Sequence, residues 1–247
     1  MGRGRLAAVV LAALAFGAAV VVLLSGGSGG PAGPPAPREA ARTPVQRSVP
    51  TAPLGARLLR RTQLRARPGG RVVASIGTVT EYRSKRVLAV VERRGDWLGV
   101  LSRQMPRDRV GWIPAAAAEL RPEPYGIVVD LSRRRLTVLH GDRPVRRMRV
   151  AVGLPGTATP TGRYGVTDAL RIGGGSAAYG CCAIALTARQ PDVPQGWTGG
   201  DRIAIHGTTN EALLGTAASA GCLRTRNFDM RYLMKHIRLG APVHIRA

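Results

Sequence analysis

A cysteine and a histidine near the C-terminal end of the chain are the residues best suited to chemistry. Cys222 lies in Ser219-Ala-Gly-Cys-Leu-Arg224, and His206 lies sixteen positions earlier in Ile203-Ala-Ile-His-Gly-Thr208. A cysteine attacks as its thiolate, and an ordinary thiol pKa of about 8.5 leaves little thiolate at neutral pH unless a base or positive charge is close. The two residues therefore suggest a cysteine nucleophile with His206 as its base.

Glycines flank both residues. His206 ends an apolar strand and is followed by Gly207, while Cys222 follows Gly221 in a turn of small residues. Glycine lets backbone approach a ligand closely, so both side chains are expected at an accessible edge of the fold. The amides of Gly221 and Cys222 are then suited to line an oxyanion site.

Two other roles compete for these residues. A single cysteine and a single histidine more often have structural roles than catalytic ones, so the pair alone is a weak signal. A zinc site needs ligand spacings such as C-x-x-C or H-x-x-x-H, which the sequence lacks, and the adjacent Cys181 and Cys182 cannot readily chelate one ion. We therefore expect no metal.

The three cysteines are too few for a disulfide scaffold, and their odd number leaves at least one free. Adjacent cysteines rarely bond each other, because the small ring strains the peptide between them. On a strand, the side chains of Cys181 and Cys182 point to opposite faces. We expect both to be unbonded core residues, with oxidation of Cys222 by a nearby member of the pair as the alternative.

The N-terminal 53 residues contain two unusual segments. Leu6–Leu24 is an uncharged run of nineteen residues behind two arginines, about the length that crosses a ~30 Å hydrocarbon core. A cleaved signal peptide has a shorter apolar region, of roughly 7–15 residues. Residues 1–24 are therefore expected to be an uncleaved anchor with the rest of the chain outside the plasma membrane; secretion after cleavage is the alternative. Residues 25–53, rich in Gly and Pro, predict a linker.

The remaining sequence predicts a mainly β protein in two parts. Residues 54–121 predict short strands at Leu58–Leu64, Arg71–Ile76, Val87–Val91, Trp97–Leu101 and Val110–Ile113. Their Gly95-Asp-Trp-Leu-Gly-Val and Val110-Gly-Trp-Ile-Pro segments resemble the end of a bacterial SH3-like barrel, in which both tryptophans pack. This part would serve as a spacer or a wall-binding module.

Residues 122–247 predict a β-rich domain with one C-terminal helix. Strands are expected at Tyr125–Leu131, Arg135–His140, Val145–Val152, Gly162–Thr167, Ala183–Thr187 and Arg202–His206. The helix is expected to begin after Asn227 as N-cap, to turn Met230, Leu233, Met234 and Ile237 to one face, and to end at Gly240.

A net charge of +23, almost entirely from arginine, should attract polyanions. The arginines are not interleaved with aromatic residues, and no recognition-helix or zinc-finger pattern is present, so specific nucleic-acid binding is not expected. Anionic wall polymers and anionic lipid remain candidate partners, and a merely solvated basic surface is the alternative.

Six segments in consistent order resemble parts of the L,D-transpeptidase catalytic domain, also called the YkuD domain, and the resemblance as a whole covers Tyr125–Ala247. They are Pro160-Thr-Gly-Arg-Tyr164, Ala183-Ile-Ala-Leu186, Ile205-His-Gly-Thr208, Ser219-Ala-Gly-Cys-Leu-Arg224, Asn227-Phe-Asp229 and Gly240-Ala-Pro-Val-His-Ile245. The resemblance implies a cysteine that attacks the amide after the third residue of a peptidoglycan tetrapeptide stem and expels D-alanine. The amine of a neighbouring stem then resolves the thioester into a 3→3 cross-link. No metal or organic cofactor is implied.

The resemblance assigns the site to six positions: Cys222 as nucleophile, His206 as base, and Ser219, Gly221, Arg224 and Gly207 as substrate-binding or oxyanion positions. Arg224 would contact a substrate carboxylate, or else form an ion pair with Asp229. Ser219 would cap the turn or touch the substrate. Many members have a histidine where this chain has Ala220, so any role of that second imidazole is absent here.

Three functions remain open on the sequence. The first is a transpeptidase that joins donor and acceptor stems. The second is an L,D-carboxypeptidase or stem-peptide hydrolase, in which water accepts the acyl group on the same fold. The third is a non-catalytic wall-binding protein in which Cys222 is structural. The oligomeric state is not determined by the sequence.

Overall fold

A computed structural model describes residues 47–48, 52–176, 178–192 and 200–247. Residues 44–247 form one compact unit. The expected anchor at Leu6–Leu24 and nearly all of the expected linker lie outside the described residues. Within the described part of the chain, no helix is long and apolar enough to cross a membrane.

The N-terminal part of this unit is an eight-stranded sheet with its own apolar core. Its strands are β1 Arg47–Ser48, β2 Leu54–Leu58, β3 Thr62–Arg65, β4 Val72–Ile76, β5 Val87–Arg94, β6 Trp97–Val100, β7 Gly111–Pro114 and β8 Ala118–Pro122. The order is β4-β3-β7-β6-β5-β2-β8, and β1 pairs with β5. Its buried core consists of aliphatic side chains from both ends of the sheet, including Leu58, Leu64, Ile76, Leu98 and Ile113. We call this part the N-terminal β unit; its SH3-like character stays a prediction.

One strand prediction in this unit is wrong. The predicted strand Leu58–Leu64 is two strands, β2 and β3, which are separated by residues 59–61 and pair with different neighbours. Leu59 is 53% exposed, whereas Leu58 and Leu64 are buried in the same core from separate strands. In a single straight strand Arg60 would share a face with Leu58 and Leu64, whereas Arg60 is exposed.

A second eight-stranded sheet forms the C-terminal part. Its strands are β9 Tyr125–Asp130, β10 Arg135–His140, β11 Arg143–Arg149, β13 Gly162–Ser176, β14 Gly180–Arg189, β15 Arg202–Thr208, β17 Leu223–Arg226 and β18 Pro242–Arg246, in the order β11-β10-β9-β18-β13-β14-β15-β17. The short strands β12 Val152–Gly153 and β16 Ala217–Ser219 pair separately in parallel. The mainly β prediction is confirmed.

The β9–β10–β11 meander follows the prediction closely, and the longer strands depart from it. β13 continues to Ser176 although its expected end was Thr167, and its register with β14 shifts twice, after Val166 and after Arg171. These irregularities allow a strand rich in glycine near its end to stay paired. β16 and β17 are too short to be recognised from residue alternation.

The helix α1 spans Asn227–His236 and buries Met230 and Leu233 against the sheet. It is the single α-helix among the described residues. The predicted N-cap is wrong by one residue: Arg226 occupies that position without a side-chain cap, and Asn227 is the first helical residue. Asn227 Oδ1 instead accepts a hydrogen bond from the Cys181 N–H at 2.9 Å.

The two sheets meet along β5. Val87, Leu88, Ala89 and Val90 are all buried, so both faces of this strand are covered, which is the pattern of a strand between two layers. A Cβ added at Gly165 of β13 would lie 2.9 Å from Ala89 Cβ. The N-terminal β unit is therefore in close van der Waals contact with the C-terminal sheet.

Gly240 is expected to be the most sensitive glycine at this contact. It has φ +88°, and a Cβ there would meet Val87 Cγ1 at 2.6 Å and Gly55 Cα at 3.2 Å. Gly95 also has a positive φ, of +53°, but has open space around it. Gly95→Ala should cost the ~1–2 kcal/mol of left-handed backbone, and Gly240→Ala should cost clearly more because a packing clash is added. Urea denaturation of the two variants measures the difference; equal losses would contradict this packing.

Candidate active site

Four adjacent strands turn small or functional side chains toward one cavity. Side chains two residues apart on a strand share a face, and the register places Ala183 of β14 opposite His206 of β15, and His206 opposite Arg224 of β17. Cys222 directly precedes β17 and lines the same cavity, which has a volume of about 340 Å³. Alanines at 183, 185 and 204 form its floor and leave room for a ligand.

His206 is held as a neutral base. Its ring is buried, and Nδ1 lies 2.8 Å from the Gly207 carbonyl oxygen. A carbonyl only accepts, so Nδ1 carries the hydrogen and Nε2 keeps the lone pair. Burial lowers the His206 pKa to about 4; the Gly207 hydrogen bond opposes this shift and the charge of Arg224 adds to it. At neutral pH the imidazole is therefore unprotonated and able to accept a proton.

Gly207 serves the packing around this histidine. A Cβ at Gly207 would lie 2.1 Å from Asn227 Oδ1 and 3.2 Å from the Cys181 nitrogen. Glycine is therefore required for α1 to approach β15. Gly207 is not among the residues that line the cavity, so the structure gives it a packing role where substrate binding was expected.

Cys222 is the free cysteine, and it rests as a thiol. Its Sγ lies 3.8 Å from the Arg202 carbonyl oxygen, within reach of a weak S–H hydrogen bond. Burial raises the thiol pKa, while the Ala204 N–H and the positive charge of Arg224 act in the opposite direction. The site therefore pairs a neutral thiol with a neutral imidazole, and thiolate must form by proton transfer rather than exist beforehand.

The turn before Cys222 is fixed by Ser219. Its hydroxyl donates to the Cys222 carbonyl oxygen at 2.6 Å and accepts the Gly221 N–H at 3.1 Å. The turn-capping alternative for Ser219 thus describes its contacts. The expected oxyanion role of the Gly221 amide is corrected, because that N–H is already donated within the turn. Gly221 itself is required by its φ of +116° and by Gln190 Nε2, 2.3 Å from where a Cβ would lie.

The side chain of Gln190 also holds this turn by hydrogen bonds. The sequence analysis did not single out this residue. Its Nε2 donates to the carbonyls of Thr157, Ala158 and Ala220 at 3.0, 3.1 and 3.2 Å. Thr159 adds a hydrogen bond from its hydroxyl to the Gly221 carbonyl at 2.8 Å. A polar residue at the end of a long apolar strand was the sequence signal, but its partners come from remote loops and could not be deduced.

Arg224 presents an unused donor to the cavity. The predicted alternative, an ion pair with Asp229, is wrong: Asp229 Oδ1 pairs with Arg146 at 2.8 Å. Arg224 Nε is buried without a hydrogen-bond partner among the described residues, and Arg224 lines the cavity beside His206. A buried guanidinium nitrogen of this kind is suited to a carboxylate or carbonyl oxygen of a ligand.

Cys181 and Cys182 form a disulfide with each other, which corrects the expectation that they stay unbonded. The register of β14 with β13 shifts between Arg171 and Ser176, opposite the pair, so the regular alternation that would separate the two side chains is lost there. Cys182 is buried in the core as expected, and Cys181 packs against it. Since the pair is internally bonded, it leaves Cys222 as a thiol.

Among the described residues, no group of three or more His, Cys, Asp or Glu side chains could hold a metal ion. The polar side chains that line the cavity with Cys222 include the imidazole of His206 and the guanidinium of Arg224.

Residues 124–245 match the family model described as the L,D-transpeptidase catalytic domain, YkuD. We call this matched part of the chain the YkuD domain. The chain is 31% identical over 122 residues to the YkuD protein of Bacillus subtilis (strain 168) and 32% identical over 136 residues to the ErfK/SrfK protein of Salmonella typhimurium (strain LT2). Both relatives carry names that assign them to the L,D-transpeptidases.

The matches of the YkuD domain cover only part of each relative. They span 49% of this chain, with 66% of the Bacillus protein and 43% of the Salmonella protein. Among solved structures, an L,D-transpeptidase from Mycobacterium tuberculosis H37Rv matches with 19% identity, 68% and 75% coverage of the two chains and a TM-score of 0.43. Bd1075 of Bdellovibrio bacteriovorus matches with 26% identity, 50% and 47% coverage and a TM-score of 0.40.

Acid should destabilise the YkuD domain through His206. Its pKa in the folded protein is about 4, below the ordinary 6.5, so the folded state resists protonation. The resulting stability is complete above pH 6.5 and is lost as pH falls towards 4, by about 3 kcal/mol. Urea unfolding at pH 7 and pH 4 should show a larger loss for the wild type than for His206→Gln.

Comparing the two proteins cancels the other titrating groups. Glu123 is one of them. Burial raises its pKa to about 7, so its contribution to stability changes with pH in the opposite direction to that of His206, and this contribution is the same in the wild type and in His206→Gln. Identical pH dependence in the two proteins would show that His206 is not held neutral.

Proposed function

We propose that the chain is a peptidoglycan L,D-transpeptidase that forms 3→3 cross-links through a thioester on Cys222. The observation that carries the proposal is the placement of Cys222, His206 and Arg224 on one sheet face and in one cavity, with His206 Nδ1 held by the Gly207 carbonyl. The family of the domain and the names of its relatives support the reaction class.

In the first half-reaction, His206 Nε2 takes the Cys222 proton and the sulfur attacks the carbonyl carbon of the third stem residue. The tetrahedral intermediate collapses by breaking the C–N bond to the terminal D-alanine, and the imidazolium returns the proton to the departing amine. Because burial disfavours the imidazolium, the proton is held only briefly. The products are a thioester and free D-alanine.

In the second half-reaction, the side-chain amine of a neighbouring stem occupies the position that D-alanine left. His206 Nε2 accepts a proton as the nitrogen attacks the thioester carbonyl, and the C–S bond breaks with return of that proton to Cys222. An amide replaces the thioester and the enzyme is regenerated. No metal, redox cofactor or external energy source enters this balance.

Arg224 is proposed to bind a carboxylate on the side of the leaving amine. It lies opposite His206 in the register of β15 and β17, so a group that exchanges protons with His206 lies within its reach. The carboxylate of D-alanine is adjacent to the departing nitrogen. The Arg224 guanidinium, whose Nε has no partner among the described residues, can therefore hold the leaving group, and later a carboxylate next to the attacking amine.

The location of the reaction is also proposed. Leu6–Leu24 is long and apolar enough to anchor the chain, and Arg3 and Arg5 favour retention of its N-terminus in the cytoplasm. The folded unit would then act outside the plasma membrane, where peptidoglycan stems are found, with the basic surface available to anionic wall polymers.

Mass spectrometry of the purified protein with a disaccharide-tetrapeptide tests the reaction. We expect an acyl adduct on Cys222 after loss of D-alanine and cross-linked dimers in the wild type, and neither in Cys222→Ala. Tripeptide without dimers would replace the proposal with the hydrolase. Absence of both adduct and product, with a Cys222 thiol that is unreactive at neutral pH, would favour the non-catalytic wall-binding protein.

Arg224→Gln should lower kcat/KM for acylation by roughly 10- to 100-fold, since it removes a charge-assisted hydrogen bond worth about 1.5–3 kcal/mol. Arg226→Gln is the matched control: it lies two residues along the same strand, is 55% exposed, and its partner Glu211 is also on the surface. It should leave acylation unchanged. Equal effects of the two variants would point to general loss of positive charge rather than a site contact.

A further inference from the structure

The cavity of the YkuD domain is completed by a residue from outside that domain. Tyr82 belongs to the segment between β4 and β5 of the N-terminal β unit, residues 77–86, which we call the 77–86 loop. Tyr82 lines the cavity together with Cys222 and His206, and its side chain is 47% exposed. A half-exposed aromatic ring facing a cavity is available to a ligand.

The 77–86 loop is bonded internally, so Tyr82 is presented by an ordered segment. Val79 and Lys85 form an isolated β-bridge, and the Thr80 N–H donates to the Ser84 carbonyl at 2.9 Å. Arg86, at the end of the loop, donates hydrogen bonds to its beginning: Nε to the Gly77 carbonyl at 2.8 Å and Nη2 to the Val79 carbonyl at 2.6 Å. A ring held in this way loses little conformational entropy on binding.

The loop is also fastened to the YkuD domain by the two residues that precede Tyr82. The Thr80 hydroxyl donates to Asp168, whose side chain is fully buried, and Glu81 forms an ion pair with Arg202. Arg202 also forms an ion pair with Asp168, in which Nη1 and Oδ2 are 3.4 Å apart, and its Cζ lies 5.6 Å from the centroid of the Tyr82 ring. Breaking one partner of buried ionic contacts is costly, so the position of Tyr82 is set by both parts of the protein.

Arg202 gives this end of the cavity a second polar feature. Its side chain is 8% exposed, and its Nε has no hydrogen-bond partner among the described residues. It lines the cavity, and its own carbonyl is the group next to the Cys222 sulfur. An unpartnered donor beside an aromatic ring is suited to the carbonyl oxygen of an extended peptide.

The position of Tyr82 favours the acyl donor over the acceptor. By the mechanism above, the leaving amine and the attacking amine both meet His206, on the side of Arg224. Arg202 lies on β15 itself, four residues before His206, so the two are roughly 13 Å apart along the strand, whereas Arg224 lies opposite His206 on β17. An extended chain spans that distance with about four residues. The part of the donor upstream of the scissile bond fits there.

We propose that Tyr82, with Arg202, forms a distal donor subsite that binds the first residues of the stem peptide, so that the N-terminal β unit takes part in substrate recognition. This inference rests on the proposed transpeptidase function. It assigns the N-terminal β unit a direct role in acylation, beyond that of a spacer or wall-binding module.

Acylation kinetics of the full chain with two donors test the subsite. One donor is the complete tetrapeptide stem, and the other lacks its first two residues. The wild type should prefer the complete stem. Tyr82→Ala should lose roughly three- to tenfold in kcat/KM for the complete stem, as expected for an aromatic contact, with no change for the truncated one. Tyr82→Phe should behave like the wild type.

Leu59→Ala is the matched control, because Leu59 is similarly exposed at 53%, lies on the same β unit and does not line the cavity. It should leave both donors unaffected, and thermal unfolding should show that all variants are folded. Equal loss with both donors, or a wild type that does not distinguish them, would overturn the distal subsite. So would a change confined to the ratio of cross-linked to hydrolysed product, which would place Tyr82 on the acceptor.

Failure of the proposed function gives a different result from failure of the subsite. If neither donor forms an adduct on Cys222 in the wild type, the transpeptidase proposal fails and the subsite with it. If the wild type is acylated but Tyr82→Ala retains the full preference for the complete stem, only the subsite is refuted.

Discussion

The parallel pairing of β15 with β17 is the constraint on which the site depends. It sets His206 opposite Arg224 and brings Cys222, immediately before β17, onto the face that carries His206. A slip of one residue would turn Cys222 and Arg224 to the other face, away from the imidazole. The short strand β17 has few contacts of its own to prevent such a slip. The register must therefore be held from both sides.

Close backbone packing supplies that support. Gly207 lets Asn227 at the start of α1 approach β15, and Gly221 lets Gln190 brace the turn before Cys222. In each case an amide side chain occupies the space that a Cβ would need. Since Asn227 also accepts the Cys181 N–H, the helix, the disulfide-bonded pair and the strand of the histidine form one packed group. Glycines at these two positions therefore let amide side chains pack directly against the backbone of the site.

Burial decides how this site can work. It lowers the His206 pKa and raises that of Cys222, so both residues are neutral at rest. Arg224 acts on both in the direction that favours thiolate and disfavours imidazolium. An ion pair formed in advance would be more nucleophilic but would require two buried charges. In the proposed mechanism, the thiolate and the imidazolium instead form only when a substrate carbonyl is present for the sulfur to attack.

The sequence by itself determined the mainly β class, the β9–β11 meander and the helix near the end of the chain, and it singled out Cys222 and His206, which line one cavity. Those conclusions follow from alternation of apolar residues and from short motifs, which are local properties. The motifs around Cys222 also indicated the family whose model matches residues 124–245.

Only the tertiary structure decided what depends on distant segments meeting. In the folded protein the Gly221 N–H donates to the Ser219 hydroxyl, and Asp229 forms an ion pair with Arg146. Cys181 and Cys182 form a disulfide, and Gln190 and Tyr82 line the cavity. Each of these outcomes rests on a partner or neighbour selected by three-dimensional packing, or on a break in strand register. Residue type and spacing determine which chemistry a side chain can perform. The fold determines whether that side chain is hydrogen-bonded to another residue or available to a ligand.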